Sequence, residues 1–167
     1  MWNKIAKYFK NHPERLAVAK VLVENGLSVR ENRIYCNDIE VPAIRVARAV
    51  KLDRRTVVET VRMIEKNAEL KVIFTHIRSA GLSLKEIARH FDYGVIEITP
   101  EDPRKVGILA DASSQLAENG ISIRQALVDD PELHPEAKLT LIAETKIPGD
   151  LIPKFLKIKG VAQVSVY

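Results

Sequence analysis

The chain has 167 residues, 46% of them hydrophobic and 29% charged, with one cysteine and a formal net charge of +4. That size permits one domain or two small ones, and no apolar run approaches the length of a membrane span, which excludes a helical membrane protein. The single Cys36 excludes an intramolecular disulfide and any multi-cysteine metal cluster, leaving a half-buried core thiol as its expected role.

Charge is unevenly divided along the chain. Residues 1–94 hold 18 Lys and Arg against 11 Asp and Glu, net +7, whereas residues 95–167 hold 8 against 11, net −3. A basic half joined to a mildly acidic half is the pattern of a nucleic-acid reader attached to a separate sensing domain, although a merely solvated basic surface carries the same signature.

Trp2, Ile5, Ala6 and Phe9 fall at i, i+3, i+4 and i+7, which predicts a first helix to about Lys10. This N-terminus has neither the apolar stretch nor the cleavage site of a secretory signal, so the cytoplasm is the expected compartment. Pro13 suits the opening of a second helix, lined by Leu16, Ala19 and Val23 and stopped at Gly26. Ile34-Tyr35-Cys36 and Ile39-Glu40-Val41 flank Asn37-Asp38, a pair tolerant of positive φ, and predict a small hairpin.

Pro42 then opens a helix with Ile44, Val46, Ala47 and Val50 on its inner face; Lys51-Leu52-Asp53 breaks it, and Arg54-Arg55-Thr56-Val57 starts another. The pattern resembles a helix-turn-helix: small Ala47 where two backbones approach, apolar Val57 and Val61 on the second inner face, and Asp53 as N-cap. Lys51 occupies the turn position usually held by glycine. The second helix, about 54–66, then presents Arg54, Arg55, Val58, Glu59 and Arg62 outward, with Thr56 in its first turn. Arginine suits phosphates and the paired acceptors of guanine, so DNA is the partner considered for Arg54, Arg55, Thr56, Glu59 and Arg62. A packing or dimerisation module is the bland alternative.

Residues 70–77 again show helical spacing. Ser83-Leu84-Lys85-Glu86 reads as a capping box opening a short helix to Phe91, and a domain boundary is expected at 92–94, dividing the chain into 1–93 and 94–167. Beyond it come a strand at 95–99, a helix carrying Ile108, Ala112 and Leu116, strands at 121–128 and 138–146, a helix capped by Asp150 and running through Leu156 and Lys159, and a final strand at 161–167. The expected class is α+β, with a basic, mostly helical N-terminal domain. The second half reads as a ferredoxin-like βαββαβ domain whose antiparallel sheet is covered on one face by two helices.

The strand at 95–99, the loop Lys105-Val106-Gly107-Ile108-Leu109, Asn119-Gly120-Ile121-Ser122-Ile123 and Gly160-Val161 resemble the ACT domain over essentially its whole length. With the basic N-terminal half, the chain looks like small archaeal proteins described as predicted regulators of amino-acid metabolism containing an ACT domain. The resemblance implies side-by-side pairing into a homodimer. It also implies an amino-acid effector between the first strand-helix loop of one copy (Glu101, Asp102, Lys105, Val106, Gly107, Ile108) and the second strand (Ile121, Ser122, Ile123) or first helix of its neighbour. Val106 stands where the family's loop carries proline. From the residues alone, Gly107 lets backbone amides approach a carboxylate, and Asp102 or Glu101 suits an ammonium group; relief of crowding between helix and sheet is the other reading of Gly107.

The carboxylates and His134 of segment 129–136 have hard-metal chemistry, but its prolines and its place between strands favour a solvated loop. His12, His76, His90 and His134 lie in different segments without a nucleophile partner, and no phosphate-cradling glycine motif is present, so no catalysis, metal or cofactor is expected. Two functions fit: an amino-acid-responsive transcription regulator, or a regulatory subunit that docks on a metabolic enzyme without binding DNA.

Overall fold

A computed structural model describes residues 1–167, an α+β chain with two antiparallel sheets. It divides into two compact units, Met1–Gly81 and Leu82–Tyr167. No helix is long and apolar enough to cross a membrane.

The first unit runs α1 (Trp2–Tyr8), α2 (Pro13–Glu24), β1 (Leu27–Arg30), β2 (Arg33–Cys36), β3 (Ile39–Val41), α3 (Ala43–Val50), α4 (Arg54–Lys66) and α5 (Ala68–His76). Ile5, Phe9, Leu22, Val57, Ile64 and Phe74 are buried completely, so α1, α2, α4 and α5 each turn an apolar stripe away from solvent. The 34–41 hairpin forms as expected, with Asn37 at φ 52°, and Cys36 is half-buried. A further strand, β1, was not foreseen. It pairs with β2 through Glu31 and Asn32, both at positive φ, the backbone of a tight hairpin turn built here without glycine. Buried Ser28 hides the strand pattern; its hydroxyl donates to the Tyr35 carbonyl at 3.5 Å.

The second unit begins with a 3-10 segment, Lys85–Phe91, followed by β4 (Gly94–Pro100), α6 (Ile108–Glu118), β5 (Ile123–Val128), β6 (Leu139–Ala143), a 3-10 turn at Gly149–Leu151, α7 (Ile152–Leu156) and β7 (Val161–Val166). Strand order is β5-β6-β4-β7, with every neighbour antiparallel. Ile96 opposes Leu141 and Ile98 opposes Leu139; their side chains pack with Leu116 of α6 and Phe155 of α7 in one core.

Four local readings need correction. Residues 82–93 belong with the second unit, not the first, because Ala88 packs on Val95 and Ile142, on the sheet face that α6 and α7 leave open. That face is therefore partly covered and not bare. The capping box at Ser83 does not close: its hydroxyl takes the Lys85 amide at 3.3 Å, two residues on, and the segment winds as 3-10 instead of α. Asp150 caps nothing; it lies within the 3-10 turn, α7 starts at Ile152 with Pro153 in its first turn, and it ends at Leu156, short of Lys159.

Candidate functional site

In the first unit, Ala47 is buried where α3 meets α4, and Val46, Val57 and Val61 fill the seam. Lys51 closes α3 in the left-handed region at φ 57° and ψ 39°, so the turn keeps the backbone that glycine would give, at a cost of about 1 kcal/mol for a side chain there. Asp53 accepts the Arg55 amide at 2.6 Å, which satisfies one free donor at the start of α4.

The five side chains assigned to DNA are not equivalent. Arg55 Nε donates to Glu59 Oε1 at 3.0 Å, and Arg15 of α2 reaches Glu59 Oε2 at 2.7 Å. These hydrogen bonds, from Arg55 first and Arg15 second, hold the Glu59 carboxyl below the usual glutamate range. Thr56 is half-buried and its hydroxyl donates to Glu14 at 3.4 Å. Arg54 and Arg62 project into solvent without a carboxylate partner. The pairing of Arg15 with Glu59, 44 residues apart, leaves no trace in local sequence pattern. Beside α4, an open groove of about 710 Å³ separates it from the β2–β3 hairpin, with Arg33, Val41, Ile44, Val58 and Arg62 among its walls. Arg33 is already paired with Glu40 at 2.9 Å.

In the second unit, Gly107 is the N-cap of α6 at φ 96°, and a Cβ there would meet nothing within 4 Å. Its glycine thus serves the backbone angle, and crowding between helix and sheet is not the reason for it. Lys105, Gly107 and Ile108 line a cavity of about 190 Å³ together with Val128, Lys138 and Leu139. Strand order explains the company: β4 and β5 run parallel on either side of β6, so the loop after β4 and the β5–β6 loop share one end of the sheet. Lys138 and Leu139 were thus within reach of topology, though not of motif.

The other residues considered for an effector lie elsewhere. Val106 is 86% exposed. Glu101 is exposed, and Asp102 turns its carboxylate onto its own loop, accepting the Arg104 amide at 2.9 Å. Ile121, Ser122 and Ile123 sit at the opposite end of α6, about 16 Å away along eleven residues of helix. Within one chain they do not meet Gly107. In segment 129–136, Asp130 accepts the Glu132 amide at 2.7 Å, so that carboxylate is spent on turning the loop.

A polar centre that sequence reading missed sits on β4. Glu97 is 7% exposed, accepts Lys85 Nζ at 2.6 Å, and takes the Tyr167 hydroxyl at 3.2 Å. The Lys85 hydrogen bond, opposed by burial, holds the Glu97 carboxyl below its ordinary 4.5, and the same bond raises Lys85 above its ordinary 10.5. Glu97 therefore adds stability that is present above its unfolded value and lost as pH falls through the depressed one; Lys85 adds stability lost only at strongly alkaline pH. Lys85→Met is expected to cost about 2 kcal/mol near neutrality, less than a fully buried pair because the lysine is partly exposed. It should also flatten the acid limb of the denaturation-midpoint profile below pH 4.5. An unchanged acid limb would mean that the pair does not fasten the 3-10 segment.

No protein-family model matches the chain, and no curated protein matches it.

Proposed function

We propose that this chain is an amino-acid-responsive transcription regulator, with a DNA-binding helix-turn-helix-like first unit and an effector-binding, ACT-type ferredoxin-like second unit that pairs two chains. The observation that carries the reading is the partition of chemistry. Residues 1–81 hold 16 basic and 9 acidic residues, net +7, and present unpaired Arg54 and Arg62; residues 82–167 hold 10 and 13, net −3, and open a small cavity at Gly107. The strand order β5-β6-β4-β7 is that of a ferredoxin-like sheet and supports the ACT resemblance. On this reading two copies pair so that Ile121, Ser122 and Ile123 of one chain meet the Gly107 loop of the other, since the length of α6, about 16 Å, keeps them apart within one chain.

A thermal-shift screen of the amino acids tests the proposal. A ligand at one hundred times its dissociation constant should add about 2.7 kcal/mol, and light scattering of the same sample should give twice the mass of the chain. Gly107→Ala and Gly120→Ala form a matched pair, since both glycines have positive φ and open space at Cβ. Each should lose about 1 kcal/mol from backbone strain, but only Gly107→Ala should abolish the ligand-induced shift. If no amino acid raises the midpoint, the effector reading fails.

A further inference from the structure

The groove beside α4 has the wrong floor for a phosphate backbone. Arg54, Val58 and Arg62 stand at i, i+4 and i+8, a single stripe with about 6 Å between successive residues. The stripe faces Ile34, Val41 and Ile44 across the groove. Ile44 is 39% exposed and Val58 half-buried, so the floor is apolar and open to solvent. The third arginine on the rim, Arg33, is neutralised by Glu40. A phosphodiester laid along this floor would shed water onto groups that donate nothing, so a phosphate could meet Arg54 or Arg62 only at the rim and would leave the floor unfilled. A chain alternating carboxylates with an apolar side chain would leave nothing unpaired.

We propose that this groove takes an extended acidic peptide from a protein partner. An aliphatic or aromatic anchor seats on Val58, and carboxylates on either side pair with Arg54 and Arg62. Because the same two arginines are the unpaired cations of the proposed DNA face, peptide and DNA exclude each other at α4. The exclusion rests on the DNA reading; the peptide site does not. Charge complementarity names the occupant: a unit of net +7 whose only unpaired groove charges are two arginines separated by a valine.

The test is fluorescence anisotropy of the full chain with labelled peptides of roughly ten residues, long enough as a strand to span the stripe. In these probes Leu or Phe is flanked by Asp and Glu. Saturable binding is expected, weakened roughly tenfold or more when the acids become Asn and Gln or the anchor becomes Ser. Arg54→Gln with Arg62→Gln should weaken it as much without moving the thermal midpoint, and Val58→Asp should abolish it. Absence of binding by every probe up to roughly 100 μM, or equal binding of the amidated probes, overturns the site. A labelled mixed-sequence duplex forms the second arm. Displacement of the duplex by peptide supports exclusion, and simultaneous binding of both overturns it. A duplex that fails to bind at low salt overturns the DNA reading and the exclusion with it, while the peptide isotherm still decides the groove by itself.

Discussion

Gly26→Ala is expected to cost the first unit about 3 kcal/mol or more, a large part of the 5–15 kcal/mol that holds an ordinary domain together. Two effects add. Gly26 ends α2 at φ +62°, where any side chain is strained by about 1 kcal/mol. A Cβ there would also lie 2.6 Å from both Cα and N of Ser79 and 2.8 Å from the Arg78 carbonyl oxygen. These are backbone atoms, and they have little room to retreat. Ser79 is tied to the β2–β3 turn by its amide, which donates to Asn37 Oδ1 at 3.2 Å, and the Thr75 hydroxyl donates to the Val29 carbonyl at 3.4 Å. Pushing the 78–79 strand of chain outward therefore loosens α5 and the hairpin together. Gly120→Ala isolates the backbone-angle effect, because its φ is +68° with open space at Cβ. Urea midpoints of the two variants should differ by at least about 2 kcal/mol once converted through the slope. Equal losses would mean that the contact with Ser79 relaxes freely.

Why some of this was legible in sequence and some was not follows from the range of the interactions involved. The α3–α4 pair announces itself locally: apolar residues at helical spacing, a small Ala47, and Asp53 accepting an amide two residues on. The βαββαβ order was equally plain, since the strands of that half carry β-branched runs separated by Asn119-Gly120 and Gly160. Strand β1 was missed because its four residues include a buried serine and its turn uses Glu31-Asn32, a pair with no glycine to mark positive φ. Ser83 and Glu86 have the spacing of a capping box, yet the segment is governed by what lies below it. Burying Ala88 on Val95 and Ile142, and bringing Lys85 to Glu97, selects the tighter 3-10 path. Tertiary demand overrode a local signal there. The same limit applied to the two proposed sites. Gly107 and the arginines of α4 are visible as residue types at helix starts, but the tethering of Arg55 by Glu59, and of Glu59 by Arg15, depends on α2 and α4 being neighbours.

That tether sharpens what removal of the arginines should do. If α4 contacts DNA, Arg54 is free to meet a phosphate, whereas Arg55 must first leave Glu59. Arg54→Ala should lower the slope of log affinity against log salt by about one and weaken binding roughly tenfold at 0.1 M salt, as loss of one phosphate contact requires. Arg55→Ala should cost less, because its ion pair with Glu59 is lost in exchange. Glu59→Gln should move the other way, freeing Arg55 and Arg15 and removing a negative charge from the face, so its affinity and slope should both rise. The double variant Arg54→Ala with Arg55→Ala should lose the most binding, while its amino-acid-induced thermal shift without DNA stays at the wild-type value, since the proposed effector cavity is built from residues of the other unit. A salt titration of wild type and the four variants on genomic fragments reads all of this at once. Should folded wild-type protein retain no DNA at low salt, with or without amino acids, Arg54 and Arg62 would be left to a protein partner, and docking on a metabolic enzyme would become the better reading.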